Sequence, residues 1–255
     1  MMYFIVLGFA LFVYMSFWFF VSLVRKRNDV VDIAWGLGFI FLSWVSYFAF
    51  GKMGFLATVT NILVTIWGFR LALHIYQRNL GKPEDFRYLA WRKEWGKWFY
   101  IRSYFQVYIL QGLFLYLIIL PVLVINNNYS NTINILGILG IVVWIIGFYF
   151  EAVGDWQLDK FIKNPVNKGK IMKQGLWKYT RHPNYFGEVT LWWGIWLLAL
   201  SLPYGFFTII GPLTITFLIL KVSGIPMLEK KMQENKEFQD YAKRTSVFFP
   251  LPPQK

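Results

Sequence analysis

The chain has 255 residues, of which 57% are hydrophobic and 15% are charged, and it contains no cysteine. Soluble domains carry roughly 25% charged residues, so this composition excludes an ordinary soluble globule, and the lack of cysteine excludes disulfides and thiolate chemistry. The net charge is +13, and because the charges lie between apolar runs, anionic lipid head groups and an anionic cofactor are better predicted partners than nucleic acid.

Seven apolar runs follow one another along the chain, and runs of about 20 apolar residues are typical of membrane-spanning helices. They predict an all-α integral membrane protein with seven transmembrane helices in one domain, residues 1–255. The predicted spans are 2–24, 30–50, 54–76, 104–125, 133–153, 188–202 and 204–220. Because the last two are short and are separated by Pro203, they are interpreted either as two short spans or as one helical hairpin.

Lysine and arginine residues gather on one side of these spans. Of the 26, 24 follow spans one, three, five and seven, and the exceptions are Lys52 and Arg70. Because positively charged loops stay in the cytoplasm, this pattern predicts an N-terminus outside and a C-terminus in the cytoplasm. A water-soluble ligand is then expected on the cytoplasmic face.

The loop after the third span combines a polar turn with an aromatic and basic stretch. The turn covers residues 79–85, and residues 86–102 interleave tryptophan, tyrosine and phenylalanine with lysine and arginine. This composition favours a helix in the membrane interface, with its rings at head-group depth and its cations on lipid phosphates. Direct contact with a substrate is the alternative interpretation.

Two ionisable residues fall inside predicted spans, where such residues are rare and are functional hypotheses by default. Asp32 lies near the start of the second span and Arg70 lies in the third. They are interpreted either as a buried ion pair or as catalytic groups, with Asp32 as a proton donor. His74 is interpreted as an interface residue, and two histidines are too few for a predicted metal site.

The densest polar segment is residues 175–188, directly before the sixth span. A helix that starts near Asn184 would offer free backbone N–H groups to an anion. The guanidinium of Arg181 would add a bidentate fork for phosphate. The alternative is an interfacial anchor. The candidate ligand-binding residues in this segment are Arg181, His182, Asn184, Tyr185 and Glu188.

Two further features lie at the same predicted end of the spans. Glu151 and Asp155 are four residues apart and share one helix face, where they suit a cationic group or sugar hydroxyls. Gly224 and Pro226 break the last helix, and irregular backbone at membrane depth is tolerated where it lines protein or a cavity.

Taken with their order, these residues resemble the bacterial multi-pass proteins of the steroid 5α-reductase superfamily over nearly the whole chain. The matching motifs are Asp-x-x-Trp-Gly (32–36), Arg-Asn-x-Gly-Lys-x-Glu-Asp-x-Arg-Tyr (78–88), Leu-Gln-Gly (110–112), Phe-Glu-Ala-x-x-Asp-Trp-Gln (150–157), GLWKYTRHPNYFGE (175–188), Ser-Gly-Ile-Pro-x-Leu-Glu (223–229) and Tyr-x-x-Arg-Thr-Ser-x-Phe-x-Pro (241–250). The Arg-His-Pro-Asn-Tyr-x-Gly-Glu segment also recurs in sterol reductases and isoprenylcysteine carboxyl methyltransferases.

The resemblance implies a seven-helix oxidoreductase of the bacterial inner membrane that binds NADPH without a Rossmann fold. By motif it assigns Asn79, Lys82, Asp155 and Asn184 to the cofactor. Lys170 and Lys221 align approximately with cofactor-binding arginines of the family. The Gln-Glu pair in the second span and the Tyr in the third span, which hold the substrate ketone in the steroid enzymes, are not found here. Asp32 and Arg70 lie near those positions and are the candidate catalytic residues.

The expected reaction is reduction of a conjugated C=C bond in a lipophilic enone, with a small-molecule lipid as substrate. The first alternative is a lipid methyltransferase that uses S-adenosylmethionine. The second is a non-enzymatic membrane scaffold or transporter, for which polar residues at several mid-membrane positions are expected.

Overall fold

The structure is a computed structural model that describes residues 2–254, and within this range it contains helices and no strand. The all-α prediction is therefore confirmed for the described residues. The chain divides into two compact units. The first comprises Met1–Ile133 and Leu202–Ile210, and the second comprises Asn134–Ser201 and Gly211–Lys255.

The helices of the first unit follow the predicted apolar runs closely. They are α1 (Met2–Arg25), α2 (Val30–Phe50), α3 (Phe55–Asn79), α4 (Phe86–Trp95), α5 (Phe99–Arg102) and α6 (Leu110–Asn127). A 3₁₀ turn links α4 to α5, and a π-helical turn, Ser103–Ile109, links α5 to α6. The predicted interfacial helix over residues 86–102 is thus helical, in two pieces.

Close helix contacts and a buried polar network hold the first unit together. A Cβ atom at Gly36 in α2 would lie 2.6 Å from the carbonyl oxygen of Gly68 in α3, so only glycine allows this approach. The fully buried Asn126 in α6 donates to Ser46 Oγ at 2.6 Å and accepts from Asn61 at 2.7 Å. These bonds join α2, α3 and α6, because an amide in an apolar interior needs partners.

The second unit contains α7 (Ile135–Lys163), α8 (Pro183–Leu200), α10 (Ile225–Met232) and α11 (Lys236–Arg244), and nearly all of α9 (Ile210–Phe217). Helix α7 runs ten residues beyond its predicted end at residue 153. Helix α9 continues as a π-helical turn to Val222, and the backbone breaks at Ser223 and Gly224 before α10. The predicted break is confirmed.

Helices α7 and α8 touch along glycines spaced seven residues apart, a spacing that returns to the same helix face. Gly140, Gly147 and Gly154 in α7 meet Gly187 and Gly194 in α8. A Cβ atom at Gly187 would lie 2.3 Å from the backbone nitrogen of Glu151. The two backbones are therefore in direct contact, which brings the start of α8 against the polar end of α7.

Six stretches within residues 2–254 are long and apolar enough to cross a membrane, which is consistent with a multi-pass membrane protein. They are Met2–Arg25, Val30–Phe50, Phe55–Asn79, Phe86–Asn127, Ile135–Lys163 and Gly205–Met232. Helix α8, which opens with polar residues, is not one of the six. The seventh span and the orientation of the termini stay predictions.

Candidate functional site

A carboxylate and an amide form a partly buried pair where α7 and α8 meet. Asn184 Nδ2 donates to Asp155 Oδ1 at 3.0 Å, and Asp155 is 7% exposed. Because a carboxylate accepts hydrogen bonds, the amide nitrogen must be the atom that faces it, and this fixes the direction of Asn184 Oδ1. That oxygen is buried and has no hydrogen-bond partner among the described residues. Such an acceptor is unusual in a native interior and indicates a position for a ligand's donor.

The segment before α8 is fixed to α7 around this pair. Trp177 Nε1 donates to the carbonyl of Gly154 at 3.1 Å, and the backbone N–H of Leu176 donates to Gln157 Oε1 at 2.9 Å. Gly175 adopts a φ of 60°, which glycine tolerates best. Glu151, one turn before Asp155 on α7, is 2% exposed. The acidic end of α7 is therefore covered by an ordered turn.

Glu229 in α10 joins the two residues that precede α8. Its Oε1 accepts from Arg181 Nε at 2.8 Å and its Oε2 accepts from Arg181 Nη2 at 3.2 Å. His182 Nε2 lies 3.0 Å from Glu229 Oε1, and the ring of His182 stacks on Tyr185 with centroids 5.6 Å apart. Since an arginine fork favours the ionised carboxylate, Glu229 is the acceptor in its contact with His182 Nε2.

Arg181 is committed to internal contacts. Besides Glu229, its Nη1 donates to the carbonyls of Ala242 and Thr245, at 2.9 and 2.8 Å. Four of the five N–H donors of the guanidinium thus bond within the unit, and this geometry favours a structural clamp over the predicted phosphate fork. The cofactor role of Arg181 stays a prediction.

The other predicted residues of the second unit are spread along it. Tyr185 and Glu188 lie in the first two turns of α8 and are partly buried. Lys170 is exposed in a turn in which its N–H donates to the carbonyl of Asn167, and Lys221 is exposed in the π-helical turn after α9. Their cofactor roles stay predictions.

In the first unit, Asp32 is bound by two residues of α4 that sequence reasoning missed. Its Oδ2 accepts from Arg87 Nη2 at 2.8 Å and its Oδ1 accepts from the hydroxyl of Tyr88 at 2.7 Å. Arg87 also donates to Asp85, whose carboxylate caps the start of α4. The carboxylate is therefore held in an ion pair with Arg87, a partner that the sequence interpretation did not name. Pairing of Asp32 with Arg70, which lies partly buried in α3, stays a prediction.

The predicted cofactor turn is fixed to the start of α2. The N–H of Lys82 donates to the carbonyl of Asn79 at 3.2 Å, and the carbonyl of Lys82 accepts from Arg27 Nη1 at 2.9 Å. Arg27 also forms a two-bond pair with Asp29, at 3.0 and 2.7 Å. Asn79 and Lys82 therefore lie in an ordered turn of the first unit, and the other assigned cofactor residues lie in the second.

Comparisons with known proteins give a family and three relatives. The profile of the family described as "Protein of unknown function (DUF1295)" matches residues 18–245. An uncharacterised protein of Schizosaccharomyces pombe is 24% identical over 208 residues, which are 70% of this chain and 59% of that protein. No solved structure matches the chain.

Two enzymes match shorter parts. A probable O-methyltransferase of Ustilaginoidea virens is 40% identical over 53 residues, or 21% of this chain and 18% of that protein. The 3-oxo-5-alpha-steroid 4-dehydrogenase 1 of Rattus norvegicus is 26% identical over 114 residues, or 44% of this chain and 40% of that protein. The matches span less than two thirds of the length of each relative.

Proposed function

Since this chain belongs to the DUF1295 family, we propose that it is a membrane-bound, NADPH-dependent reductase of a conjugated C=C bond in a lipophilic enone. The rat relative supports this reaction class, because a 4-dehydrogenase of 3-oxo-5α-steroids acts at the bond next to the ketone, and reduction of that bond is the reverse reaction. In the proposed topology, seven spans place the site on the cytoplasmic side of a bacterial inner membrane.

The unsatisfied oxygen of Asn184 carries the proposal. It can accept a hydrogen bond from a ligand, and the carboxamide and ribose hydroxyls of NADPH are suitable donors. The buried carboxylates of Asp155 and Glu151 suit the same hydroxyls. When bound, NADPH supplies the hydride. Asn184 and Asp155 would hold the cofactor.

In the first unit, the proposed catalytic groups are Arg70 and Asp32. Arg70 is permanently cationic and suits stabilisation of the negative charge that develops on the carbonyl oxygen of an enone. Asp32 is proposed to act with Tyr88 in proton transfer: because the carboxylate accepts from the hydroxyl of Tyr88, the proton is given up by that hydroxyl and is regained from water.

A second candidate is an O-methyltransferase that uses S-adenosylmethionine, because of the 40% identity over 53 residues with the probable O-methyltransferase. The ribose of S-adenosylmethionine also carries hydroxyl donors for Asn184. Its sulfonium is cationic and it has no phosphate, so phosphate-dependent binding separates the two candidates.

The test is thermal unfolding of the detergent-purified chain with NADPH, NADH or S-adenosylmethionine, since a ligand that binds the folded state raises its stability. We expect NADPH to raise the unfolding midpoint and Asn184→Leu to weaken NADPH binding about tenfold or more, the effect of one lost buried hydrogen bond and its desolvated partner. Asn167→Leu is the matched control, because that amide donates to the carbonyl of Phe161 at 2.9 Å, away from Asp155.

Stabilisation by S-adenosylmethionine alone would replace the reductase by the methyltransferase. Loss of NADPH binding in Asn167→Leu to the same degree as in Asn184→Leu would remove Asn184 from the site. Oxidation of NADPH on addition of a steroid or isoprenoid enone, absent without the enone, then tests the reaction itself.

A further inference from the structure

A small cleft lies wholly within the second unit, beside α11. Its volume is about 240 Å³, which is below the roughly 300–1,000 Å³ of pockets that enclose a whole small molecule. It is lined by Lys173, Lys178, Asp240, Tyr241, Arg244, Thr245 and Pro253. A group of limited size fits such a cleft better than a complete dinucleotide.

Hydrogen bonds fix the walls of the cleft. The hydroxyl of Tyr241 donates to the carbonyl of Trp177, and Leu251 N–H donates to the carbonyl of Tyr179 at 2.9 Å. The carbonyl of Arg244 accepts from the N–H of Gln254 at 2.8 Å. These bonds join α11, the turn before α8 and the C-terminal segment. The backbone around the cleft is therefore held in place.

Two of the lining charges are neutralised by neighbours. Lys173 Nζ lies 2.6 Å from Glu237 Oε1, and this hydrogen bond lowers the pKa of the Glu237 carboxyl below its usual value. Asp240 Oδ1 lies 3.2 Å from Lys243 Nζ, and both side chains are largely exposed. The lysine and the aspartate of the lining are thus each matched by an opposite charge.

The other two lining cations have no such match. Within residues 2–254, neither Lys178 nor Arg244 forms an ion pair, and Lys178 contacts the ring of Tyr179 with its Nζ 5.9 Å from the centroid. A lysine point charge and a planar arginine fork on one cleft are the pair of cations that bind phosphate well. Thr245 also lines the same cleft.

We infer that this cleft binds a phosphate group, with Lys178 and Arg244 as its cationic ligands. The phosphate belongs either to a soluble ester, such as the 2′-phosphate of a nucleotide, or to a phospholipid head group. The inference does not depend on the reductase proposal, because it rests on the cleft and its charges alone.

The experiment uses the full-length chain in detergent at constant ionic strength, with inorganic pyrophosphate as the probe and thermal unfolding as the readout. We expect pyrophosphate to raise the unfolding midpoint of the wild type, and Lys178→Met and Arg244→Gln each to weaken binding about tenfold, as loss of a charge-assisted hydrogen bond predicts. Lys236→Met is the matched control, because it removes the same charge from α11 at a residue outside the cleft lining.

A variant that binds pyrophosphate more tightly provides a further test, because a misfolded variant would bind it more weakly. Asp240→Asn removes the carboxylate from the cleft and frees Lys243, so it is expected to tighten pyrophosphate binding several-fold. Equal weakening in Lys236→Met and Lys178→Met, or no change of the wild type with any phosphate probe, would overturn the inference.

Two further arms identify the source of the phosphate. If Lys178→Met no longer binds NADPH more tightly than NADH, the phosphate in the cleft belongs to the soluble nucleotide. Stabilisation by nanodiscs with phosphatidic acid over phosphatidylcholine, lost in the same variant, assigns it to a lipid. If NADPH binds with unchanged affinity while pyrophosphate binding is lost, the cleft is a separate site and the proposed cofactor site is unaffected.

Discussion

The polar groups of the two units differ in how completely they are paired. In the first unit, charged side chains pair with one another around the start of α2 and α4, and the cations and carboxylates are similar in number. The members are Arg27, Arg87, Arg92, Asp29, Asp32, Glu84 and Asp85. In the second unit, Asn184 Oδ1 is buried without a donor, and Lys178 and Arg244 have no carboxylate partner among the described residues.

This difference distinguishes polar groups that stabilise the fold from polar groups that can bind a ligand. A polar network whose members are all satisfied makes its region rigid, whereas a buried group that lacks a partner is destabilising until something supplies one. The saturated cluster of the first unit therefore supports the fold around Asn79 and Lys82. The unpaired groups of the second unit are the better candidates for ligand contact.

The largest loss of unfolding free energy is expected when the saturated cluster of the first unit loses a cation. Arg87→Met removes the cation from Asp32, whose side chain is 14% exposed, and an uncompensated charge of this kind costs about 3–5 kcal/mol. Chemical unfolding in mixed micelles measures this loss. The double variant Asp32→Asn with Arg87→Met removes both charges and is expected to recover most of it. A loss below about 1 kcal/mol in Arg87→Met, the size of an exposed ion pair, would mean that the cluster does not support the fold.

A somewhat smaller effect is expected at Glu229, and it sharpens the view of the second unit. Glu229→Gln weakens charge-assisted bonds to Arg181 and His182, which are worth roughly 1.5–3 kcal/mol each. The variant also no longer selects the tautomer of His182 that is protonated at Nε2, because the amide of glutamine can donate a hydrogen bond to the ring as well as accept one from it. The chain has two histidines, so ¹⁵N imidazole spectra of His74→Gln report on His182 alone.

In the His74→Gln background, neutral His182 is expected to be protonated at Nε2, and Glu229→Gln is expected to mix the two tautomers. Lys230→Gln, on the same helix and exposed, is the control. A tautomer that is unchanged by Glu229→Gln would show that this carboxylate does not position the ring.

The helices follow from the sequence because apolarity is a local property of the chain. Helix α2 begins and ends at the predicted residues 30 and 50. Helix α7 runs beyond residue 153 because the length of an apolar run predicts the membrane-spanning part of a helix and not where the helix ends. Its last turns carry Asp155, Asp159 and Lys160, which are compatible with a helix outside the membrane.

The pairings of the clusters do not follow from the sequence in the same way. Asp32 bonds to Arg87, 55 residues away, and Arg181 bonds to Glu229, 48 residues away. Helix position places Asp32 and Arg70 at neighbouring helix ends, but it gives no information about which loop folds back and so could not show the bond between Asp32 and Arg87. The proximity of Asp155 and Asn184 could be predicted from the sequence, since the motif resemblance assigns both residues to one ligand.

The smallest loss of stability is expected at Asp85, which lies at the edge of the saturated cluster. Burial raises the pKa of this carboxyl, but the hydrogen bonds from the side chain and backbone N–H of Arg87 and the charges of Arg87 and Arg78 outweigh it and lower the pKa below 3.8. A carboxyl with a lowered folded-state pKa adds stability above its unfolded value, and this stability is lost as the pH falls through the folded value.

Asp85→Asn keeps an oxygen that caps α4, because asparagine caps helices as well as aspartate, but it removes the charge. The variant is expected to lose about 1 kcal/mol at neutral pH, the upper value for a partly exposed ion pair. Its unfolding midpoint should fall less than that of the wild type below about pH 4, the range in which aspartate titrates. Asp240→Asn, at a largely exposed aspartate, is the control for a general charge effect. If both variants behave alike, Arg87 acts through Asp32 alone and Asp85 serves the helix as a cap without an ionic contribution.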